Sequence, residues 1–359
     1  MLSGNKGEWS ELYTLFKILS DKQLVVGDSN LHKIENLFFP IIKVLRDQSD
    51  GTFEYSYQDD LVLIKGGKET VPIPLKRFQE QALFLLESLK RKTPRTFSIP
   101  EIEDFMKAFH CTSLKAKSSI KSDIRVVIHD LRTGITPELG FSIKSQLGSA
   151  STLLNAGKTT NFIYQIESLS LSQDEIDEIN AIAGKSKIKD RIERIRSLGG
   201  TFRYSKMNHR IFQNNLVLID TLLPQILSDL LLLYYTNKIS RTKELMEELK
   251  RLNPLDFDLT SGHPFYDYKI KRFLSDIALG MMPSTVWTGK LDATGGYLIV
   301  KEDGEILCYH IYSRNEFENY LLSNTKFETA SISRHNFGSL YTEEGHLYFN
   351  LNLQIRFTK

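Results

Sequence analysis

The residues best suited to chemistry lie between Ser122 and Ser149, in SDIRVVIHDLRTGITPELGFSIKSQLGS. Asp123 heads the run DIRVVIHD, whose β-branched residues favour a strand. The next segment, LRTGITPEL, carries Gly134 and Pro137 and reads as a turn, after which GFSIKS resumes as a second strand. Such a hairpin brings Asp123 and Lys144 together at one end of a twisted sheet. Strand side chains alternate, so Ser142, Lys144 and Gln146 share one face while Phe141 and Ile143 point into the core. A carboxylate beside a lysine is the combination that phosphodiester hydrolysis needs. The carboxylate can hold Mg2+, which keeps several waters and also binds the scissile phosphate. The ion lowers the pKa of a bound water and neutralises charge developing on the phosphate. The lysine orients that water and stabilises the extra negative charge. Surface hairpins carry Asp and Lys often, so the pair alone is a weak signal.

Small polar residues follow the lysine. Ser145, Gln146, Gly148 and Ser149 would let the backbone approach DNA phosphates closely, with an ordinary loop as the competing reading. Asn155, Thr160 and Asn161 carry groups able to hydrogen-bond to a base or a phosphate. Residues 185–210 hold Lys185, Lys187, Lys189, Arg191, Arg194, Arg196, Arg203, Lys206 and Arg210 against only Asp190 and Glu193. A local basic surface of this kind can serve phosphates even though the whole chain carries a formal charge of only +2. Arg191, Arg194, Arg196 and Arg203 are therefore candidate phosphate contacts, and a solvated helix face is the alternative. Asp256-x-Asp258 beside Asn253-Pro254 reads as a loop, and His263 before Pro264 as structural. Gly295-Gly296 suits a tight turn and lacks the rest of a dinucleotide-binding fingerprint.

The elements that must position these residues follow from periodicity. GNKGEWSELYTLFKILSD is amphipathic at helical spacing through Trp9, Leu12, Phe16 and Leu19. Residues 50–75 read as short strands, FEYSY and DLVLIKGG, with turns at Asp50-Gly51 and Gly66-Gly67. Gln79–Arg91 reads as a helix, and Ser98 with Glu101 as a capping box opening a helix through Phe109, with Pro100 in its first turn. TNFIYQIE reads as a strand, and Asp174–Leu198 as one or two helices ended by Gly199-Gly200. Helices are expected to continue through Leu252, where Asn253-Pro254 breaks the chain. The apolar stretch Leu216–Tyr235 contains Asp220, Pro224, Gln225 and Asp229, and so reads as a buried helix, not a membrane span. After Met282-Pro283 the chain turns to strands, with a hairpin turn at Asp303-Gly304 and an alternating strand in EGHLYFNLNLQIRF. Helices mixed with hairpin strands predict an α+β fold.

The chain has 359 residues, 41% hydrophobic and 25% charged, enough to bury a large core in more than one domain. Cys111 and Cys308 lie far apart without metal-ligand spacing, so free thiols in a reducing compartment and no zinc site are expected. The N-terminus lacks an apolar signal core, which with the cysteines points to the cytoplasm.

The hairpin resembles that of the PD-(D/E)xK nucleases, in which an Asp opens the hairpin and an acid-x-Lys triplet sits on its second strand. More specifically, NKGEWSELY, GFSIKSQLGSASTLLNAGKTTNFIY and NLNLQIRF look like the HpaII family of type II restriction endonucleases. The resemblance runs from near Asn5 to near Phe357. It implies a magnesium-dependent enzyme that cuts double-stranded DNA, the founding specificity being CCGG. Arg is the commonest bidentate partner of guanine in the major groove, so such a specificity makes Arg334 in SISRHNF the candidate base reader. It also implies a cognate cytosine methyltransferase protecting the same site as functional partner. A homodimer would match a palindromic target. Carried over by position, Asp123 takes the place of the metal-binding aspartate and Lys144 that of the lysine. Ser142 stands where the acid of acid-x-Lys should be, in Ser142-Ile143-Lys144. A second acidic ligand must then come from elsewhere, and the backbone carbonyl of Ile143 is a further possible ligand. Glu11 is preferred, then Glu8, because nucleases of this superfamily often draw an acid from a leading helix. Asp130, Glu138 and Glu167 are the other candidates.

The expected organisation is a PD-(D/E)xK core within residues 1–184, built from the first helix and a hairpin core over 115–170, with 20–114 as elaboration. A basic helical region over 185–284 and a β-rich region over 285–359 would grip and read DNA. Two rival readings remain: a repair nuclease or junction resolvase of the same superfamily, and a DNA-binding protein that has lost catalysis with the acid at position 142.

Overall fold

The computed structural model describes residues 2–48, 51–67, 69–115 and 122–359. Asp50 of the expected Asp50-Gly51 turn, and residues 116–121 at the head of the expected hairpin core, lie outside the described residues. Helices and strands are intermixed, as an α+β fold requires. The chain divides into two compact units, one of residues 1–151, 291–320 and 359, the other of 152–290 and 321–358.

The first unit is built on a nine-stranded sheet. Its order is Gln23–Gly27, Ile306–His310, Gly296–Val300, Glu138–Ser145, Ile124–Ile128, Lys33–Gln48, Gly51–Gln58, Leu61–Gly66 and Glu69–Pro74. Most neighbours are antiparallel. Gly296–Val300 runs parallel to Glu138–Ser145, and Ile306–His310 runs parallel to Gln23–Gly27. The leading helix, Lys6–Asp21, forms for local reasons. Asn5 accepts from the Glu8 N–H and the Glu8 carboxylate accepts from the Asn5 N–H, a reciprocal cap worth about 1 kcal/mol. Its apolar residues Trp9, Leu12, Phe16 and Leu19 are all fully buried. At roughly 1.5–3 kcal/mol per large apolar side chain, that face fixes the helix on the sheet far more firmly than the cap does. Phe16, Phe78, Phe105 and Phe109 meet edge to face beneath it.

One local expectation for this unit needs correction. The helix after residue 98 spans Pro100–Lys107, and its N-cap is Ile99, without a side-chain hydrogen bond. Pro100 at the first position opens it, and Ser98 does not cap it. A further strand, Glu69–Pro74, closes the edge of the sheet. It carries two prolines, which an edge strand tolerates because one side of it needs no N–H donors.

The second unit holds an antiparallel sheet in the order Thr201–Met207, Asn161–Glu167, His346–Asn352 and Leu340–Glu343. A smaller sheet pairs Thr325–Phe327, Ile355–Phe357 and Thr152–Leu154. The expected helical stretch of 174–198 is two helices, Gln173–Ala181 and Lys187–Ser197, and Gly199 ends the second at a positive φ. Helices do not run on unbroken to Leu252, because Thr201–Met207 is a strand. The apolar stretch is likewise two helices, Arg210–Ile219 and Leu223–Thr236, bent by 109°. Among the described residues no single helix is long and apolar enough to cross a membrane, although that bent pair together has the length and composition.

Candidate active site

The aspartate and the lysine meet on neighbouring strands. Ile124 pairs with Phe141, which sets Asp123 opposite Ser142 at the mouth of the hairpin. The Asp123 N–H donates to the Phe141 carbonyl at 2.9 Å. The Ile143 N–H donates back to Asp123 Oδ2 at 2.6 Å, so the carboxylate is clamped by the backbone of the lysine strand. Burial raises the Asp123 pKa above the usual carboxylate value, opposed by the charge of Lys144 and by the Ile143 N–H. Ser142 is buried, and Lys144 is half-buried on the same face. The lysine Nζ lies 5.1 Å from the ring centre of Tyr297, a buried residue paired in register with Ser142.

The leading helix lies on the other face of that strand. Phe141 and Ile143 share a core with Trp9, Leu12 and Phe16, and the Ser10 and Ser145 hydroxyls hydrogen-bond at 2.8 Å. Beside this contact opens a cleft of about 680 Å³, walled by Glu11, Ile143, Ser145, Gly148 and Ser149. Lys6, Lys90, Lys92 and Arg95 also line it. Ile143 thus joins the two features: its N–H holds Asp123, and the residue also walls the cleft that Glu11 faces. Glu8 points elsewhere. Its carboxylate pairs with Lys115 at 2.8 Å, which together with the cap holds its pKa below the ordinary value.

The other acids expected as alternatives are engaged in ion pairs. Asp130 is buried, accepts from the Arg132 N–H at 2.9 Å and lies 3.6 Å from its guanidinium. Glu138 pairs with Arg125 at 2.5 Å, and Arg125 also binds Asp47. Glu167 belongs to the second unit and pairs with Arg203 at 2.5 Å. Among the described residues no group of three or more His, Cys, Asp or Glu could enclose a metal. What the hairpin offers instead is one carboxylate, the Ser142 hydroxyl and backbone carbonyls. That all-oxygen, sparse donor set suits Mg2+, which keeps most of its waters and takes one or two carboxylates plus substrate phosphate. It does not suit zinc.

The residues expected at DNA divide by exposure. Gln146 is half-buried, its N–H given to the Val300 carbonyl at 2.8 Å, while Ser149 is exposed on the cleft. Asn155 is exposed. Thr160 and Asn161 are buried, joined by the Asn352 amide, and Asn161 also donates to the His335 carbonyl at 3.0 Å. Arg194, Arg196, Arg203 and Arg334 are exposed, Arg196 lying over the Phe202 ring at 5.8 Å. Arg191 is different. It is buried, and its guanidinium donates to the carbonyls of Gly338, Asn180 and Ile182. Those bonds hold the helix to its neighbours and turn the group away from solvent, which corrects the expectation of a phosphate contact there.

Sequence reasoning passed over Tyr297 and the cleft cations. Lys90, Lys92 and Arg95 do stand close together in KRKTPRT, a signal available in the chain, but Tyr297 carried none.

Comparison with known proteins bears on the whole chain. The family model described as HpaII restriction endonuclease matches residues 5–357. Type II restriction enzyme HpaII of Haemophilus parainfluenzae is 50% identical over 360 residues, which cover 99% of this chain and 98% of that protein. No solved structure matches the chain.

Proposed function

The chain belongs to the HpaII restriction endonuclease family, and from that premise we propose a type II site-specific deoxyribonuclease that makes magnesium-dependent double-strand breaks at a short palindrome, CCGG. The observation that carries the chemistry is the Ile143 N–H held by Asp123 at 2.6 Å, with Lys144 on the same face. It supports a PD-(D/E)xK core in which Ser142 replaces the usual acid. Asp123, with the Ile143 carbonyl, would hold Mg2+; Glu11 is the candidate second acid. The ion supplies charge neutralisation at the phosphate and a more acidic water.

The remaining work falls to side chains of the protein. Asp123 is fixed by a backbone donor, so its carboxylate need not reorganise during the reaction. Lys144 places an ammonium beside the carboxylate, where it can orient the attacking water and offset charge on the phosphate. Lys6, Lys90, Lys92 and Arg95 in the cleft would bind phosphates flanking the scissile one, with Gly148 and Ser149 admitting the backbone closely. Exposed Arg194, Arg196 and Arg203, with Asn155, would add phosphate contacts, and Arg334 would read guanine. In this partition catalysis resides in the first unit, to which residues 291–320 of the expected β-rich region belong, while the basic helices over 185–284 and the strands after residue 321, both in the second unit, supply recognition. A homodimer would suit the palindrome, and a cytosine methyltransferase would protect the same site.

Digestion of a plasmid of known sequence with Mg2+, followed by mapping of the fragment ends, tests the proposal. Discrete ends sharing CCGG are expected. Ends scattered over sequence, or confined to junctions, would favour a repair nuclease or resolvase. Binding without cleavage would favour a protein that has lost catalysis.

A further inference from the structure

We propose that Tyr297 is the positioning residue for Lys144, its ring face holding the ammonium at the height where the reaction needs it. The inference rests on the assignment of Lys144 to the reaction. A lysine ends in a compact charge on a flexible four-carbon stem, so placing it requires a partner. At position 142 the chain offers a neutral hydroxyl instead of a carboxylate. The strand Gly296–Val300 supplies the other neighbour. It runs parallel to the lysine strand with Tyr297 in register with Ser142, so the ring rises on the face shared by Ser142 and Lys144.

Three features make that ring a fixed platform. It is only 3% exposed. The edge of Phe317 meets it at 5.5 Å and 78°. The lysine Nζ stands 5.1 Å from its centre, within the range where the negative π face attracts a cation, and the attraction grows as water is excluded. The ring face thus sets where the ammonium rests.

The test is a double-mutant cycle on single-turnover cleavage of cognate DNA. Tyr297→Phe keeps the ring and should cut within about three-fold of wild type. Tyr297→Leu and Tyr297→Met fill the space without a π face and should cut between about two-fold and about thirty-fold more slowly. Affinity for the same DNA without Mg2+ should be unchanged in all three. In a Lys144→Ala background, Tyr297→Leu should cost nothing further, because the group it positions is gone. Equal losses in both backgrounds, or a loss in Tyr297→Phe as large as in Tyr297→Leu, would overturn the inference and leave a purely structural ring. Normal cleavage by Lys144→Ala alone would instead remove the assignment of Lys144, and this inference with it.

Discussion

At the scale of single residues, the electrostatics of Asp123 make predictions that separate its roles. Asp123→Ala and Lys144→Ala should each lower single-turnover cleavage by at least about 10²–10³, since each removes a preorganised charge at the phosphate. Both should still fold and bind cognate DNA, and normal cutting by either would remove the assignment. Stability should move in the opposite direction to activity. A carboxyl whose folded pKa lies above its unfolded one stabilises the fold only while protonated, and that contribution is lost as pH rises through the folded value. Above its unfolded pKa and without Mg2+, Asp123 is therefore a net cost to the fold. Asp123→Asn should unfold at a higher temperature than wild type in EDTA at pH 7, and a lower one would contradict the burial argument. Glu11 and Glu8 form a second comparison: Glu11→Gln should slow cleavage with little effect on binding, and more than Glu8→Gln does. Wild-type rates in both at saturating Mg2+ would send the search for the second acid elsewhere. The Asp123–Lys144 pairing was legible in the sequence because strand, turn and strand are short-range signals. Tyr297 was not, because its strand joins the lysine strand in parallel across a long separation in sequence, and side-chain alternation gives no account of which distant strand will come alongside.

At the scale of elements, Arg191 shows how a charge run conceals two populations. In the helix Lys187–Ser197 the buried positions are Ile188, Arg191, Ile192 and Ile195, a helical stripe, while Arg194 and Arg196 face outward. The spacing that makes the helix amphipathic thus already places Arg191 among the isoleucines. Burial depresses its pKa, and donation to three backbone carbonyls offsets the cost of desolvation. Arg191→Ala should destabilise the fold by about 2–4 kcal/mol, through buried carbonyls left without donors and through lost packing. Arg194→Ala and Arg196→Ala should each stay within about 0.5 kcal/mol of wild type in denaturant unfolding. A stable Arg191→Ala would return that residue to the DNA contacts. The strand Thr201–Met207 was overlooked for a related reason. Half-buried Phe202 and Tyr204 alternate with exposed Thr201, Arg203 and Ser205 in TFRYSKM, but the cations on either side of it read as part of one basic helix face, and pairing with Asn161–Glu167 decides the matter. Turn chemistry was more reliable: Gly199 and Asn253 end their helices in left-handed conformations, as expected from their types.

At the scale of the whole molecule, a formal charge of +2 gives no hint of a DNA-binding protein, because what matters is where the cations converge. Lys6 comes from the start of the leading helix, Lys90 from the end of Leu75–Arg91, and Lys92 and Arg95 from the segment that follows. Packing of the two helices against one another brings these cations to one cleft beside the loop of Gly148 and Ser149, with Glu11 as the acid among the lining residues. No run in the sequence shows that arrangement, since it exists only after the helices pack. The basic stretch of 185–210 attracts attention first, yet one of its arginines is internal. A salt titration decides how much each region contributes. Every phosphate neutralised releases counterions and adds about 0.9 to the slope of log K against log salt. Replacing Lys90, Lys92 and Arg95 together by Ala should therefore flatten the slope by about 2.7 if all three contact phosphates, and weaken cognate and non-cognate DNA alike. The Arg194→Ala, Arg196→Ala pair should flatten it by about 1.8 on the same rule. Cleavage by the triple variant, measured in single turnover with all DNA bound, should stay near wild type, because these cations hold flanking phosphates and not the scissile one. An unchanged slope would leave the cleft as a solvated basic surface. A flattened slope joined to a large loss of bound-state rate would move one of these cations into contact with the phosphate that is cut.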